Sequence, residues 1–143
     1  MNSFKNKTEE EKLSDSIDKF WKDGLSQISD IHKIPNEIGL EVLKIIISTA
    51  CHRQNITPIV LANEVVSKID KEWLKINIPI AAEKIVCFDD YWEYRRLLEL
   101  IYDNVPELLE WGIIKGSYSQ DEDVKEAVED FRISLENYKS RNI

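Results

Sequence analysis

The chain of 143 residues is short of most residue types that carry recognisable chemistry. It has two histidines, His32 and His52, and two cysteines, Cys51 and Cys87. No CxxC or HxxxH spacing joins them, so a zinc site has no ligand set. A di-metal carboxylate bundle needs a Glu-x-x-His pair on each of two helices. Ser29 and Thr49 stand where those acids would have to be. Cys51 and His52 are neighbours, and adjacent helical residues point about 100° apart. That is poor geometry for a nucleophile and its base, and Cys51 is expected as a small core hydrophobe. The four glycines, Gly24, Gly39, Gly112 and Gly116, are scattered, so there is no Gly-rich phosphate loop. GxSxG, GxGxxG and HExxH are all missing. The 27 acids cannot be sorted into catalytic pairs without geometry. The expectation is a protein without cofactor, metal or catalytic residues, and not an enzyme.

Long apolar runs are missing too. The longest, Ile45-Ile46-Ile47, falls far short of a bilayer span. Met1-Asn2-Ser3-Phe4-Lys5 leads straight into charged residues and does not read as a signal peptide. A cytoplasmic protein with its cysteines kept as thiols is expected, and the composition suits a bacterial source. Positive charge is scarce: 19 Lys and Arg face 27 Asp and Glu, a net of −8. Such a chain is repelled by nucleic acid and by anionic membranes. A basic protein partner would be steered toward it. Four glycines and four prolines are too few for a chain of many tight turns, which argues against an all-β sandwich.

What is present is helical periodicity. Thr8 and Glu11 have capping-box spacing, and Leu13, Ile17, Phe20, Leu25 and Ile28 follow at helical intervals. A first helix is expected over 9–29, weakened at Gly24. Pro35 suits the first turn of a second, apolar nearly all round from Ile38 to Ala50 and ending near Asn55. Thr57-Pro58 opens a third, with Leu61, Val65, Ile69 and Trp73 in one stripe, ending near Ile76. Pro79 opens a short fourth helix to Cys87; the alternation of Ile76, Ile78 and Ile80 leaves an edge strand over 76–86 as the alternative. Asp89 or Asp90 caps a fifth, with Tyr91, Tyr94, Leu98, Ile101 and Val105 inward. Pro106 starts a sixth, and Gly116-Ser117 reads as its C-terminal signal. Ser119 and Glu122 form a second capping box before a last helix with Val124, Val128, Phe131, Leu135 and Tyr138 inward. The fold class is all-α: a compact helical bundle, or a short HEAT-like helix-pair stack of about seven helices, in one domain over 1–143. Short links favour antiparallel neighbours, and a stack from Pro79 onward would leave one elongated face open.

Charge is uneven along this frame. Asp89 to Glu136 carries 14 acids against 5 bases, while the remainder carries 13 against 14. On the last helix Glu122, Glu126, Glu129 and Asp130 fall at i, i+4, i+7 and i+8. Two readings stand: a solvated helix face, or a docking surface for a basic partner. Asp89 to Arg96 is the most unusual stretch, with three aromatics, three acids and two arginines in eight residues. Tyr, Trp and Arg are the types enriched at interface hot spots. Trp92 is either core or a partner anchor, and Arg95 and Arg96 are within helical reach of Glu99. Tyr118, in the loop 116–120, and Trp111 are the other aromatic anchors expected at an interface.

Three segments together carry a resemblance. DDYWEYRRLLEL from Asp89, PELLEWGI from Pro106 and SQDEDVKEAVEDF from Ser119 resemble small bacterial all-helical proteins of the immunity or antitoxin kind, over about a third of the chain. The last segment also resembles a helix of a HEAT-like repeat. The resemblance implies inhibition by binding, masking the active site of a cognate toxin such as a basic nuclease domain. The expected function is therefore a protein-binding module, most concretely an immunity protein, with Trp92, Trp111, Tyr118, Glu122, Glu126, Glu129 and Asp130 facing the partner. The alternatives are a homo-oligomeric scaffold that buries Trp21 and Trp73, and an enzyme built on an inter-helix carboxylate cluster.

Overall fold

The computed structural model describes residues 6–142, so the expectation about Met1–Lys5 lies outside the described residues. Among the described residues there are seven α-helices, two 3₁₀ segments and no strand. The all-α expectation holds. No helix among them is long and apolar enough to cross a membrane.

The first helix, α1, runs Glu9–Asp18 from the expected capping box. The Thr8 side chain accepts from the Glu11 N–H at 3.1 Å, and Glu11 accepts from the Thr8 N–H at 2.8 Å. It stops eleven residues short of the expected end. The Asp18 carboxylate accepts from the Asp23 N–H at 2.9 Å. Asp23 itself turns the chain through a left-handed conformation, φ 59°, which aspartate tolerates better than most residues. A 3₁₀ segment, Leu25–Lys33, then buries Ile28 and Ile31.

Helix α2, Asn36–Cys51, ends at Cys51, short of the expected Asn55. It buries Val42, Leu43, Ile46, Ile47 and Ala50 and packs against α1, α3 (Ile56–Val66), α4 (Lys71–Ile85) and α5 (Tyr91–Asn104). The expected third helix is two: α3 and α4 part at 67–70, where the Asp70 carboxylate caps α4 by accepting from the Trp73 N–H at 3.0 Å. Its stripe points inward as expected at Val65, Ile69 and Trp73, but across a break. Pro79 lies inside α4 and opens nothing, and the edge-strand alternative over 76–86 is overturned. The proline removes one ladder bond; burial of Trp73, Leu74, Ile78, Ala81 and Ala82 holds the helix around it.

A polar network locks α2 to α4 inside this packing. The Trp73 indole N–H donates to Asn36 Oδ1 at 3.1 Å. Asn36 donates to Asn77 Oδ1 at 3.0 Å, and Asn77 donates back to the Trp73 carbonyl at 2.9 Å. Each buried polar group has a partner, which avoids the roughly 1–3 kcal/mol that an orphan would cost.

Asp90, the second of the two expected caps, starts α5 by accepting from the Glu93 N–H at 3.0 Å. Pro106 begins with a 3₁₀ turn, Pro106–Leu108, before α6, Leu109–Gly116. Helix α7, Glu122–Arg141, is capped by Asp121 and not by Ser119. Ser119 is buried, and its hydroxyl instead accepts from the Asp121 N–H at 3.1 Å. One hydrophobic core takes residues from all seven α-helices.

The α5–α6 contact leaves no room for a Cβ at either α6 glycine. The buried Tyr94 hydroxyl donates to the Gly112 carbonyl at 2.8 Å. A Cβ at Gly116 would sit 2.2 Å from that hydroxyl oxygen, and one at Gly112 would sit 2.6 Å from Leu98 Cδ2. A phenol ring held by its own hydrogen bond cannot yield, whereas a leucine methyl can. Gly116→Ala should therefore destabilise by about 3 kcal/mol, the upper end of overpacking, and lower the thermal midpoint by roughly 10 °C. Gly112→Ala should cost about 1 kcal/mol. Thermal denaturation of the two variants checks the order.

Candidate functional site

Helix α5 sets the geometry. Trp92, Arg96, Glu99 and Asp103 lie at i, i+4, i+7 and i+11, a single outward row. Tyr91 and Arg95 turn from that row toward α7. Arg95 bonds Asp130 at 3.1 Å and sits over the Phe131 ring at 5.5 Å. Farther along, Arg141 donates to the Tyr102 hydroxyl at 3.0 Å. Contacts from 95 to 130 and from 102 to 141 mean that α5 and α7 run parallel. On the other flank Asn104 reaches Asn63 of α3 at 3.4 Å.

Between these two flanks lies a groove of about 740 Å³, with α3 and α7 as walls and the outward row of α5 between them. Ile56 and Val60 of α3 line it and are 64% and 46% exposed. Phe131 and Ser134 contribute from α7. Its carboxylates are Glu64, Glu99 and Asp103. Glu99 is held by Arg96 at 3.0 Å and Arg95 at 3.7 Å. Among the described residues no cation lies within ion-pair distance of Glu64 or Asp103. Desolvation, and then the like charge of Glu99, holds the Asp103 carboxyl above its ordinary value.

Trp92 is 61% exposed at the α5 N-terminus, with Arg96 over its ring at 5.4 Å. Both arginines pair with Glu99, yet Trp92 is not core. Glu122, Glu126, Glu129 and Asp130 all point outward on one face of α7. Their ion-pair partners are Lys125 for Glu122, Arg132 for Glu129 and Arg95 for Asp130, all from the C-terminal half. Exposed pairs of this kind contribute about 0–1 kcal/mol, and the segment Asp121–Glu136 still holds seven acids against two bases. Ile133, 61% exposed, falls within that acidic face. Tyr118 is 79% exposed in the α6–α7 loop. Trp111 is only half-buried and belongs to another cluster, edge-on to Phe88 at 6.1 Å.

A second constellation was not legible beforehand. His52 follows α2, and its Nδ1 meets the Ser48 hydroxyl at 2.8 Å. Its Nε2 meets Glu93 at 2.7 Å, and Glu93 also accepts from the Cys87 N–H at 3.0 Å. Hydroxyl, imidazole and carboxylate stand in line, as in a nucleophile triad. Ser48, however, sits inside α2, where the backbone N–H groups are spent on the helix and leave no oxyanion donors. The chain therefore acts as a clasp between the end of α2 and the start of α5. Beside it is a cleft of about 580 Å³ that includes Trp92 and Arg96, so it adjoins the groove along α5. Cys51 also borders this cleft but is buried, and desolvation pushes its thiol up to about 12.

No family model, characterised protein or solved structure matches the chain.

Two measurements check this geometry. A raised folded-state carboxyl pKa favours the fold below the ordinary carboxylate range, and that advantage disappears as pH rises through the folded value. Ionised Asp103 is thus a cost at pH 7, increased by its place in the last turn of α5. Asp103→Asn should raise the thermal midpoint at pH 7 and make no difference below about pH 3, where both side chains are neutral. In thiol titration of the native protein, Cys87 should react and Cys51 should react only after denaturation.

Proposed function

We propose that this chain is a protein-binding module that neutralises a basic partner by covering it, in the manner of an immunity protein acting on a toxin in the bacterial cytoplasm. The reading is carried by one observation: four outward carboxylates share one face of α7 with an exposed isoleucine, Ile133. Charge gives long-range attraction and orientation, and an apolar side chain inside the charged field supplies burial on contact. Tyr118 beside the α7 N-terminus and Trp92 on the neighbouring helix are the aromatic types that dominate interface energetics. The negative excess suits the active site of a nuclease, which is built to attract phosphate.

A homo-oligomeric scaffold is the second reading. Its original support weakens because Trp73 is buried within its own chain. What favours it is Ile76 and Ile80, one turn apart on α4 and 66% and 45% exposed. A concentration-dependent dimer in sedimentation, abolished by Ile76→Asp, would support it.

For the binding reading, the adjoining reading frame should encode a protein with a basic C-terminal domain, and co-production of this chain should relieve the growth arrest that domain causes. Association should slow at least about tenfold between 50 and 500 mM salt. Glu126→Lys/Glu129→Lys should slow it at low salt and remove most of the salt dependence. A rate unaffected by salt and by charge reversal overturns the reading.

A further inference from the structure

We propose that the groove between α3 and α7 receives a basic amphipathic α-helix of the partner, with its apolar side on Ile56 and Val60 and its cations toward Glu64 and Asp103. The inference rests on the protein-binding reading and adds a second contact surface beside the acidic face of α7.

Three observations select this occupant. The first is apolarity in the wrong place for a monomer surface. Ile56 and Val60 are one turn apart on α3, both exposed, and share a groove with Phe131. The second is charge. Glu64 and Asp103 border the same apolar strip without a cation at ion-pair distance among the described residues, and Asp103 already carries the cost of a desolvated charge next to Glu99. A lysine or arginine there would relieve that cost; an acidic or neutral occupant would add to it or leave it. The third is backbone chemistry. The walls of the groove are formed mainly by the helices α3, α5 and α7, whose mid-helix N–H and C=O groups are satisfied internally. No strand edge is offered, so an extended segment would bury unpaired amides. A helix brings its own backbone bonds and needs only side-chain contacts. From Arg96 to Asp103 the α5 floor of the groove spans about 10 Å, enough to seat about two helical turns.

The test uses the full chain and two synthetic 18-residue peptides of identical Leu, Lys and Ala composition. One places leucines at i, i+4, i+7 and i+11; the other is scrambled so that no apolar face forms. Amide shift mapping and fluorescence anisotropy read the binding. The patterned peptide should bind at least about tenfold more tightly than the scrambled one and become helical by circular dichroism. It should shift amides of α3 and α5 around Val60 and Asp103. Val60→Asp should add charge yet weaken binding at least fivefold by removing the apolar contact, with the thermal midpoint retained as a check on folding. Asp103→Asn should weaken it two- to fivefold. Glu126→Lys/Glu129→Lys, on the outer face of α7, should change it less than twofold. Equal affinity for the two peptides, or indifference to Val60→Asp, overturns the groove proposal. If binding is instead lost on Glu126→Lys/Glu129→Lys alone, the groove fails while the acidic-face reading survives. If neither peptide binds and the basic neighbouring domain does not associate either, both fail.

Discussion

A helix that is apolar on nearly every side cannot lie on a surface, and α2 is such a helix. Val42, Leu43, Ile46 and Ile47 have no exposed surface, and hiding them takes neighbours on several sides. Helices α1, α3, α4 and α5 supply the cover. The remaining arrangement follows from that demand. With α5 committed to α2 on its inner side, α6 and α7 have only its outer flanks to pack on. Tyr94 then sets how closely α6 can approach, because Gly116 is needed to clear its ring and Gly112 to clear Leu98. Helix α7 packs against both α5 and α6, docking on α5 through Phe131 and the Arg95–Asp130 pair. The groove is the space left between α3 and α7 once both have been drawn to the same central pair. The His52–Glu93 clasp fixes the register of that pair at one end.

How far this was readable from the sequence differs by the range of the interaction involved. Inward stripes depend on burial and mark themselves by period, so Val65, Ile69 and Trp73 were assigned to the interior correctly. Chain breaks depend on a single hydrogen bond and leave a weaker trace. Asp70 is one acid among 27, and nothing in its neighbourhood distinguishes a cap from a surface charge. Pro79 was the more conspicuous signal and misled: prolines usually open helices, but burial on both sides of this one outweighs the lost bond. Gly24 misled in a similar way: the left-handed residue is its neighbour Asp23, whose N–H is accepted by the Asp18 carboxylate.

The same division separates the two parts of the candidate site. The acidic face of α7 lies on one uninterrupted helix, so its side chains could be aligned by periodicity alone. The groove needs α3, α5 and α7 side by side, and no local pattern encodes that. One signal was available. Helix α3 has seven hydrophobic residues among eleven, yet Ile59, Ala62, Val65 and Val66 are the ones that it buries to seat itself. Ile56 and Val60 are a second apolar row with no interior to enter. Glu93 gave no such signal, since its partner His52 lies 41 positions away.

Charge and apolarity occupy complementary positions on this molecule. Carboxylates alone would attract any cation, including salt, and would hold none of them for long, because exposed ion pairs gain little once both ions keep their water. Apolar side chains alone would associate without orientation and invite self-association. Placing Ile133 among the acids of α7, and Ile56 and Val60 beside Glu64 and Asp103, couples the two. Under the proposed binding role, an approaching surface would be selected by sign at long range and by shape at contact. Like charge on the α7 faces of two copies opposes their approach, so under the proposed binding role the same acids would disfavour self-association through Ile133 and favour a partner of opposite charge.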